Sequence, residues 1–415
     1  MNVPSSSDCA VPLSASSSLK DLKQYTEDFD LPPFLTKGAC QIYEEIFRRR
    51  VEMEDNYFKR DLHKVYFNWM LQELPSAYES EESNRLTLAY FATSALDILD
   101  SLDQVAVEDT ISWVYGLQVL PLNGANGGKT CGFRGSPSVR VKKLSDDGSD
   151  QPLVHDGGHL AMTYSALAIL AVLGDDYSRV SRDAILRSLR ELQQPDGSFC
   201  PTLMDRQSDM RFLFCAIAIS VMLDDWSGVD TKKAVEFIVR SQTFDGGFGL
   251  LPSLEAHGGA TYCALASLRL ITLHDPSYGA LSFLIDVDML LQWCLYRQSP
   301  EGGFQGRPNK PPDTCYAFWL GGTLRLLEID HLCDQEKLRS FLLSAQSKWG
   351  GYSKFPEDEL PDLLHSYYGL CGFSLLREPG LEPLAFELGI TQRAANKLPG
   401  FSRMIRYSAR SKIVD

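Results

Sequence analysis

The sequence has no run of the ~20 apolar residues a bilayer demands. Its longest mostly apolar stretch, Leu160 to Gly174, is broken by Thr163 and Ser165, so no membrane span is expected. The first twenty residues are Ser-rich without an apolar core, and no Arg precedes Arg48. No secretory leader is expected from that pattern, and the signal for a transit peptide is weak, with an acidic Asp8 among the serines. The ten cysteines nowhere form Cys-x-x-Cys, which argues against a redox motif or a zinc ribbon and for a reduced, cytoplasmic setting. Basic residues are also short, at 40 Lys and Arg against 54 Asp and Glu, for a net charge of −14. That balance excludes a nucleic-acid backbone as the main ligand, since phosphate tracking needs clustered cations. It leaves room for a local basic pocket.

What the chain does have is a repeat. Leu192-Gln193-Gln194-Pro195-Asp196-Gly197-Ser198-Phe199 recurs as Ser241-Gln242-Thr243-Phe244-Asp245-Gly246-Gly247-Phe248. It returns as Arg297-Gln298-Ser299-Pro300-Glu301-Gly302-Gly303-Phe304 and Ala345-Gln346-Ser347-Lys348-Trp349-Gly350-Gly351-Tyr352. The leading Gln falls at 193, 242, 298 and 346, giving intervals of 49, 56 and 48 that mark stacked supersecondary units. Each phrase closes an amphipathic helical pattern, with Gly beyond it read as a helix stop. A second, more apolar helix follows, as at His159–Leu173, Met210–Leu223, His257–Ile271, Asp313–Leu327 and Asp362–Leu376, with Arg85–Leu99 as the first. A helix apolar nearly all round is buried on all sides. The expected fold is therefore all-α, an α/α barrel or toroid of about six helical hairpins around an apolar central funnel. An open solenoid would leave those inner helices facing solvent. The barrel is expected over residues 36–390 with an insertion at 123–157, flanked by a loosely docked arm at 1–35 and a basic tail at 391–415.

In that register every inner helix begins with polar residues, among them His159, Arg211, His257, Asp313 with Cys315, and His365. A closed barrel gathers them at one rim, where helix N-termini add partial positive charge. Asp313, Cys315 and His365 together offer a carboxylate, a thiolate and an imidazole. Such a set holds Zn²⁺ with a fourth position open; the alternative is a small buried Cys and an ordinary polar helix start. His257-Gly258-Gly259 opens another helix, with His257 either an anion donor or punctuation. Arg307 and Lys310 put two cations just before Asp313, and Tyr316 follows Cys315 as either a phosphate donor or packing. The acidic run from Asp146 to Asp150 mimics a Mg²⁺-diphosphate motif but lies in a Gly/Ser-rich loop without a second copy, and is read as solvated.

These strings resemble the β subunits of protein prenyltransferases from about Arg85 to Glu378. The resemblance is carried by His159-Leu160-Ala161-Met162-Thr163-Tyr164, Asp209-Met210-Arg211-Phe212, His257-Gly258-Gly259-Ala260-Thr261, Arg307-Pro308-Asn309-Lys310-Pro311-Pro312-Asp313-Thr314-Cys315-Tyr316 and His365-Ser366-Tyr367-Tyr368-Gly369. It implies one catalytic Zn²⁺ on Asp313, Cys315 and His365, and an isoprenoid diphosphate held by His257, Gly258, Gly259, Arg307, Lys310 and Tyr316. It also implies a lipid channel lined by Arg211, Cys215, Tyr164 and Trp319, a heterodimer with a separate α subunit, and protein substrates ending in Cys-a-a-X, such as Rho-family small GTPases. The substrate cysteine would react as a zinc-bound thiolate. Within the family the positions resemble the type I geranylgeranyl branch, in a plant-like variant. Thr87 stands where farnesyl enzymes carry a Trp that shortens the pocket. Lys354 takes the place of an Asp that holds Mg²⁺, implying that Mg²⁺ is not required. Phe91 and Leu364 replace bulkier aromatics, and Phe212 adjoins Arg211. Tyr368 instead matches the farnesyl branch, which is the runner-up. A terpene cyclase would need an Asp-x-Asp-Asp acid that is absent, and a glycosidase would need two rim carboxylates. A non-catalytic helical scaffold would account for the repeats but not for the polar rim.

Overall fold

A computed structural model of the chain describes residues 57–121, 130–139, 142–144, 150–152, 157–356, 358 and 360–411. The expected arm at 1–35, the rest of the 123–157 insertion and the last four residues of the expected tail lie outside them. Six helical hairpins follow in chain order: α1 (Arg60–Gln72) with α2 (Arg85–Ile98), α3 (Val107–Gly116) with α4 (Leu160–Leu173), and α5 (Arg182–Leu192) with α6 (Met210–Leu223). Next come α7 (Thr231–Arg240) with α8 (Gly258–His274), α9 (Val287–Leu295) with α10 (Tyr316–Leu326), and α11 (Gln335–Ser344) with α12 (Leu363–Leu375). Each even-numbered helix packs on the next, α2 on α4 and so on round to α12 on α2, which closes an α/α toroid.

The two helix types differ as their sequences require. Outer α7 buries Ala234, Val235, Phe237 and Ile238, a stripe at helical spacing, and gives its other face to solvent. Inner α4 is buried from Leu160 to Val172 except at Ala161 and Tyr164, the two positions left facing the barrel axis. No helix among the described residues is long and apolar enough to cross a membrane.

The recurrent Gln and Gly are the joints between repeats. The Gln242 carboxamide accepts from the Asp286 N–H at 2.9 Å and donates to the Asp286 carbonyl at 2.9 Å, pinning the cap of the next outer helix. Gln193 does the same to Asp230 and Gln298 to Asp334. Gly246 has φ of 100°, and a Cβ there would lie 2.2 Å from the Met289 carbonyl oxygen. The glycine therefore lets the turn press against the next outer helix; it sits beyond the helix end, in the turn, and does not cap it. Gln346 closes the ring. Its Oε1 accepts from the Lys59 N–H and from His63 Nε2, both at 2.8 Å, and its Nε2 donates to the Tyr57 carbonyl. Burial pushes the His63 imidazole down to about 3, so it is neutral, with Nδ1 accepting from the Gly351 N–H. Gln346→Ala strands several buried groups at once and is expected to cost about 3 kcal/mol. A urea midpoint that moves no further than that of the more exposed Gln193→Ala would contradict this role.

Short hairpins complete the chain. β1 (Gln118–Val119) pairs with β2 (Gly132–Phe133), β3 (Lys142–Leu144) with β4 (Asp150–Pro152), and β5 (Leu384–Ala385) with β6 (Ile390–Thr391). The basic segment after Thr391 continues as α13 (Gln392–Ala395) and α14 (Pro399–Ser411), with Leu398, Phe401 and Met404 buried.

Candidate functional site

The inner-helix starts share one device. The side chains of His159, Asp209 and His257 each accept the backbone N–H two residues on, at Ala161, Arg211 and Gly259. Asp313 accepts likewise from Cys315 at 2.8 Å, and Asp362 accepts from His365 at 2.9 Å. The polar rim is thus first a set of helix caps satisfying orphan N–H groups. Two of the caps carry further chemistry.

One ligand atom each of Asp313, Cys315 and His365 lie within 4.8 Å of one another. A single ion with bonds of roughly 2.0–2.3 Å spans ligands at nearly that spacing, so the group can hold a metal. His365 Nε2 is 3.3 Å from Asp313 Oδ1, while Nδ1 lies 2.6 Å from Asp362 Oδ2. Asp362 thereby holds the Nδ1 proton and aims Nε2 at the group, the support a ligating imidazole needs. Sequence reasoning missed Asp362, although it lies only three residues before His365.

The electrostatics agree with a cation site. Burial works against charge on all three groups. It pushes the Cys315 thiol well up, reinforced by the Asp313 carboxylate. Burial would also raise Asp313, but the adjoining imidazole outweighs it and holds the carboxyl below its ordinary value. His365 is desolvated too, yet the two carboxylates lift it to about 9. Protons thus supply the positive charge that a divalent ion would supply in their place. Lys354 Nζ stands 4.0 Å from Asp313 Oδ2, and Thr314 ties the Lys354 carbonyl to this segment through its N–H and hydroxyl.

Beside the metal group lies a cationic lip. His257 spends Nδ1 on the Gly259 cap, so Nε2 carries the proton and donates to the Tyr316 hydroxyl at 3.0 Å. The Tyr316 hydroxyl proton is left to point elsewhere. A Cβ on Gly258 or Gly306 would strike the Tyr316 ring, at 2.9 and 2.0 Å, so these glycines seat the phenol. Gly259 lies against the His257 ring. Arg307 is half-exposed and paired with Glu255 at 2.9 Å, and Lys310 is exposed beside it. Arg211 is also exposed and held by its own cap residue, Asp209, at 2.6 Å. Phe212 lies edge-on to His159.

The funnel below is aromatic. Tyr90, Tyr164, Phe214, Tyr262, Phe318 and Tyr367 come one from each inner helix, at nearly the same depth. Tyr368 stacks on Phe318, Trp319 lies edge-on to Phe318 and Phe91 edge-on to Tyr368, and Cys215 is buried one residue past Phe214. Half-buried Thr87 lies between α2 and α4, its hydroxyl 3.1 Å from Ser165 Oγ and 3.5 Å from Met162 Sδ. That seam is diametrically opposite the α8–α10 seam carrying His257 and Tyr316. Leu364 is exposed at the rim next to His365.

Comparison with known proteins gives consistent matches. The profile of the prenyltransferase alpha-alpha toroid domain matches residues 58–390. The geranylgeranyl transferase type-1 subunit beta of Arabidopsis thaliana is 50% identical over 343 residues, covering 81% of this chain and 90% of that protein. Its namesake from Dictyostelium discoideum is 38% identical, covering 80% of this chain and 95% of that protein. The structure of Candida albicans protein geranylgeranyltransferase-I complexed with GGPP aligns with a TM-score of 0.69 at 26% identity, covering 84% of this chain and all of that one.

Proposed function

Because this chain belongs to the prenyltransferase alpha-alpha toroid family, we propose that it is the catalytic β subunit of a type I protein geranylgeranyltransferase. It moves the 20-carbon group of geranylgeranyl diphosphate to the cysteine of proteins ending in Cys-a-a-X. The observation that carries this reading is the juxtaposition of a three-ligand metal group with a cationic lip above an aromatic funnel.

Asp313, Cys315 and His365 would hold Zn²⁺, whose donor preferences fit a carboxylate, a thiolate and an imidazole. Held there, Zn²⁺ supplies Lewis acidity that lowers the pKa of an incoming thiol, ordinarily near ~8.5. The remaining work falls to the chain. Tyr316, its hydroxyl oxygen already accepting a hydrogen bond from His257 Nε2–H, turns its own O–H to a diphosphate oxygen. The exposed Arg307–Glu255 pair is worth under ~1 kcal/mol, so an arriving anion readily recruits Arg307. With Lys310, and with Lys354 beside Asp313 in place of a second metal ion, these donors stabilise charge growing on the leaving group. Mg²⁺ is then dispensable. The hydrocarbon runs across the funnel over Tyr164, Cys215 and Trp319 toward the Thr87 seam.

A separate α subunit covers the mouth and adds to the lip. Met204, Leu254 and Leu360 support this: all three are exposed and lie within six residues of an inner-helix N-terminus. The cytoplasm is the compartment that fits reduced cysteines and small-GTPase substrates. The test is the intact mass of a peptide ending Cys-a-a-Leu after incubation with the heterodimer and geranylgeranyl diphosphate. One added geranylgeranyl group is expected; an unmodified peptide would overturn the reading.

A further inference from the structure

Among the described residues, five seams of the ring share one backbone bond. An N–H at the start of an inner helix donates to a turn carbonyl of the next repeat: Leu86 to Gly135, Leu160 to Pro201, Met210 to Leu250, Gly258 to Gly306 and Thr314 to Lys354, at 2.9–3.1 Å. At the seam between α12 and the first hairpin, the Leu363 N–H goes to the Tyr78 hydroxyl instead, at 2.9 Å. The residues that make these bonds are Leu, Met or Gly, as suits a buried seam, with one exception. Thr314 is 0% exposed and carries a hydroxyl into the place that an apolar residue fills elsewhere.

A buried hydroxyl needs a partner, and this one has two. Thr314 Oγ1 donates to the Ser353 carbonyl at 2.8 Å and to the Lys354 carbonyl at 3.0 Å. The Lys354 carbonyl therefore receives both the N–H and the hydroxyl of one residue. Ser353 is held from its other side as well, its hydroxyl donating to the Phe355 carbonyl at 2.7 Å and to the Ala345 carbonyl at 3.1 Å. The Thr314 methyl packs on α12, where a Cβ on Gly369 would lie 2.9 Å from it. The turn is thus fixed on both sides of Lys354. From it the Lys354 ammonium stands 4.0 Å from Asp313 Oδ2, although its side chain is 48% exposed. A flexible four-carbon stem with its charge in water favours no one direction, so the backbone below it decides where the ammonium can reach.

We propose that Thr314 is a positioning residue for the transfer: its buried hydroxyl sets the turn from which the Lys354 ammonium reaches the boundary between the metal group and the leaving diphosphate. This deepens, and rests on, the reading that Lys354 stabilises charge growing on the leaving group. The Thr314 hydroxyl is spent on backbone carbonyls and acts through Lys354. Without it the Ser353 carbonyl loses its donor in Thr314 and the turn relaxes. A cation displaced by about 1 Å from a developing charge loses much of its effect.

The test is a double-mutant cycle in the heterodimer. Thr314→Val keeps the shape and the N–H and removes the hydroxyl. It is expected to lower the single-turnover rate of geranylgeranyl transfer about tenfold. Thr314→Ser, which keeps the hydroxyl, is expected to stay within about twofold of wild type. In a Lys354→Ala background Thr314→Val is expected to cost less than about twofold, because the group it positions is gone. Inorganic diphosphate, read by calorimetry, is the second probe: Thr314→Val is expected to raise its Kd about threefold with Lys354 present and to leave it unchanged with Lys354 absent. Thr314→Ala removes the same hydroxyl and carries the cycle where the valine variant fails to fold. Zinc content is expected to stay at the wild-type level, and its loss from Thr314→Val would move the effect to the metal group and overturn the proposal. So would a full cost of Thr314→Val in the Lys354→Ala background, or no cost in the wild type. A wild-type heterodimer that transfers no lipid overturns the functional reading on which the proposal rests, and does so independently of the cycle.

Discussion

Cys315→Ala is expected to strip the heterodimer of zinc and to lower prenyl transfer about a thousandfold, the equivalent of about 4 kcal/mol of transition-state stabilisation. The reasoning starts from the cap. Cys315 N–H is held by Asp313 Oδ1, so the thiol is placed within reach of His365 before any ion arrives. Burial alone would keep that thiol protonated, and only a cation between the three groups makes its thiolate favourable. Removing the sulfur leaves two ligands, too few for a closed three-point hold. Alanine in a buried site of this size opens only a small cavity, so the fold is expected to survive with its thermal midpoint nearly unchanged. Zinc by plasma emission and transfer by peptide mass are the two readouts. Retention of one zinc by a folded Cys315→Ala heterodimer would remove Cys315 from the site.

Thr87→Trp is expected to invert the lipid preference, lowering the 20-to-15-carbon ratio of kcat/KM about a hundredfold. Thr87 and Ser165 meet at 3.1 Å between α2 and α4, and both are small. An indole there fills the seam opposite the lip, where the last isoprene of a 20-carbon chain would lie. The shorter chain, ending before that seam, is untouched. Tyr368, the residue that favours a farnesyl reading, is buried, stacked on Phe318 and tilted against Trp319, away from this seam. An unchanged ratio in the folded variant would mean that the lipid does not reach Thr87.

These outcomes also mark what could be seen from the chain alone. The toroid was legible because the joints repeat: each turn needs the same Gln to pin the next outer cap and the same Gly to approach its backbone. The metal group was legible because Asp313 and His365 fall in consecutive copies of one register. The rim was over-read in one respect, since His159 caps a helix, and an imidazole that caps looks identical in sequence to one that binds. The β5–β6 hairpin was invisible for the opposite reason. Leu384 to Thr391 has no repeat to align it, and its place on the barrel axis depends on the whole ring closing first. The one clue was an aromatic at the same depth in each inner helix, from Tyr90 to Tyr367, which reads equally well as packing. Asp362 went unnoticed because a helix-cap aspartate is so ordinary a feature.

The most direct measurement is a competition. The heterodimer formed with a type I α subunit receives equal farnesyl and geranylgeranyl diphosphate and a peptide ending Cys-a-a-Leu, in zinc-containing buffer prepared without Mg²⁺. The account predicts geranylgeranylated peptide as the main product, because Thr87 leaves the funnel long and Lys354 stands in for the second ion. Farnesylated peptide appearing only when Mg²⁺ is restored would contradict it.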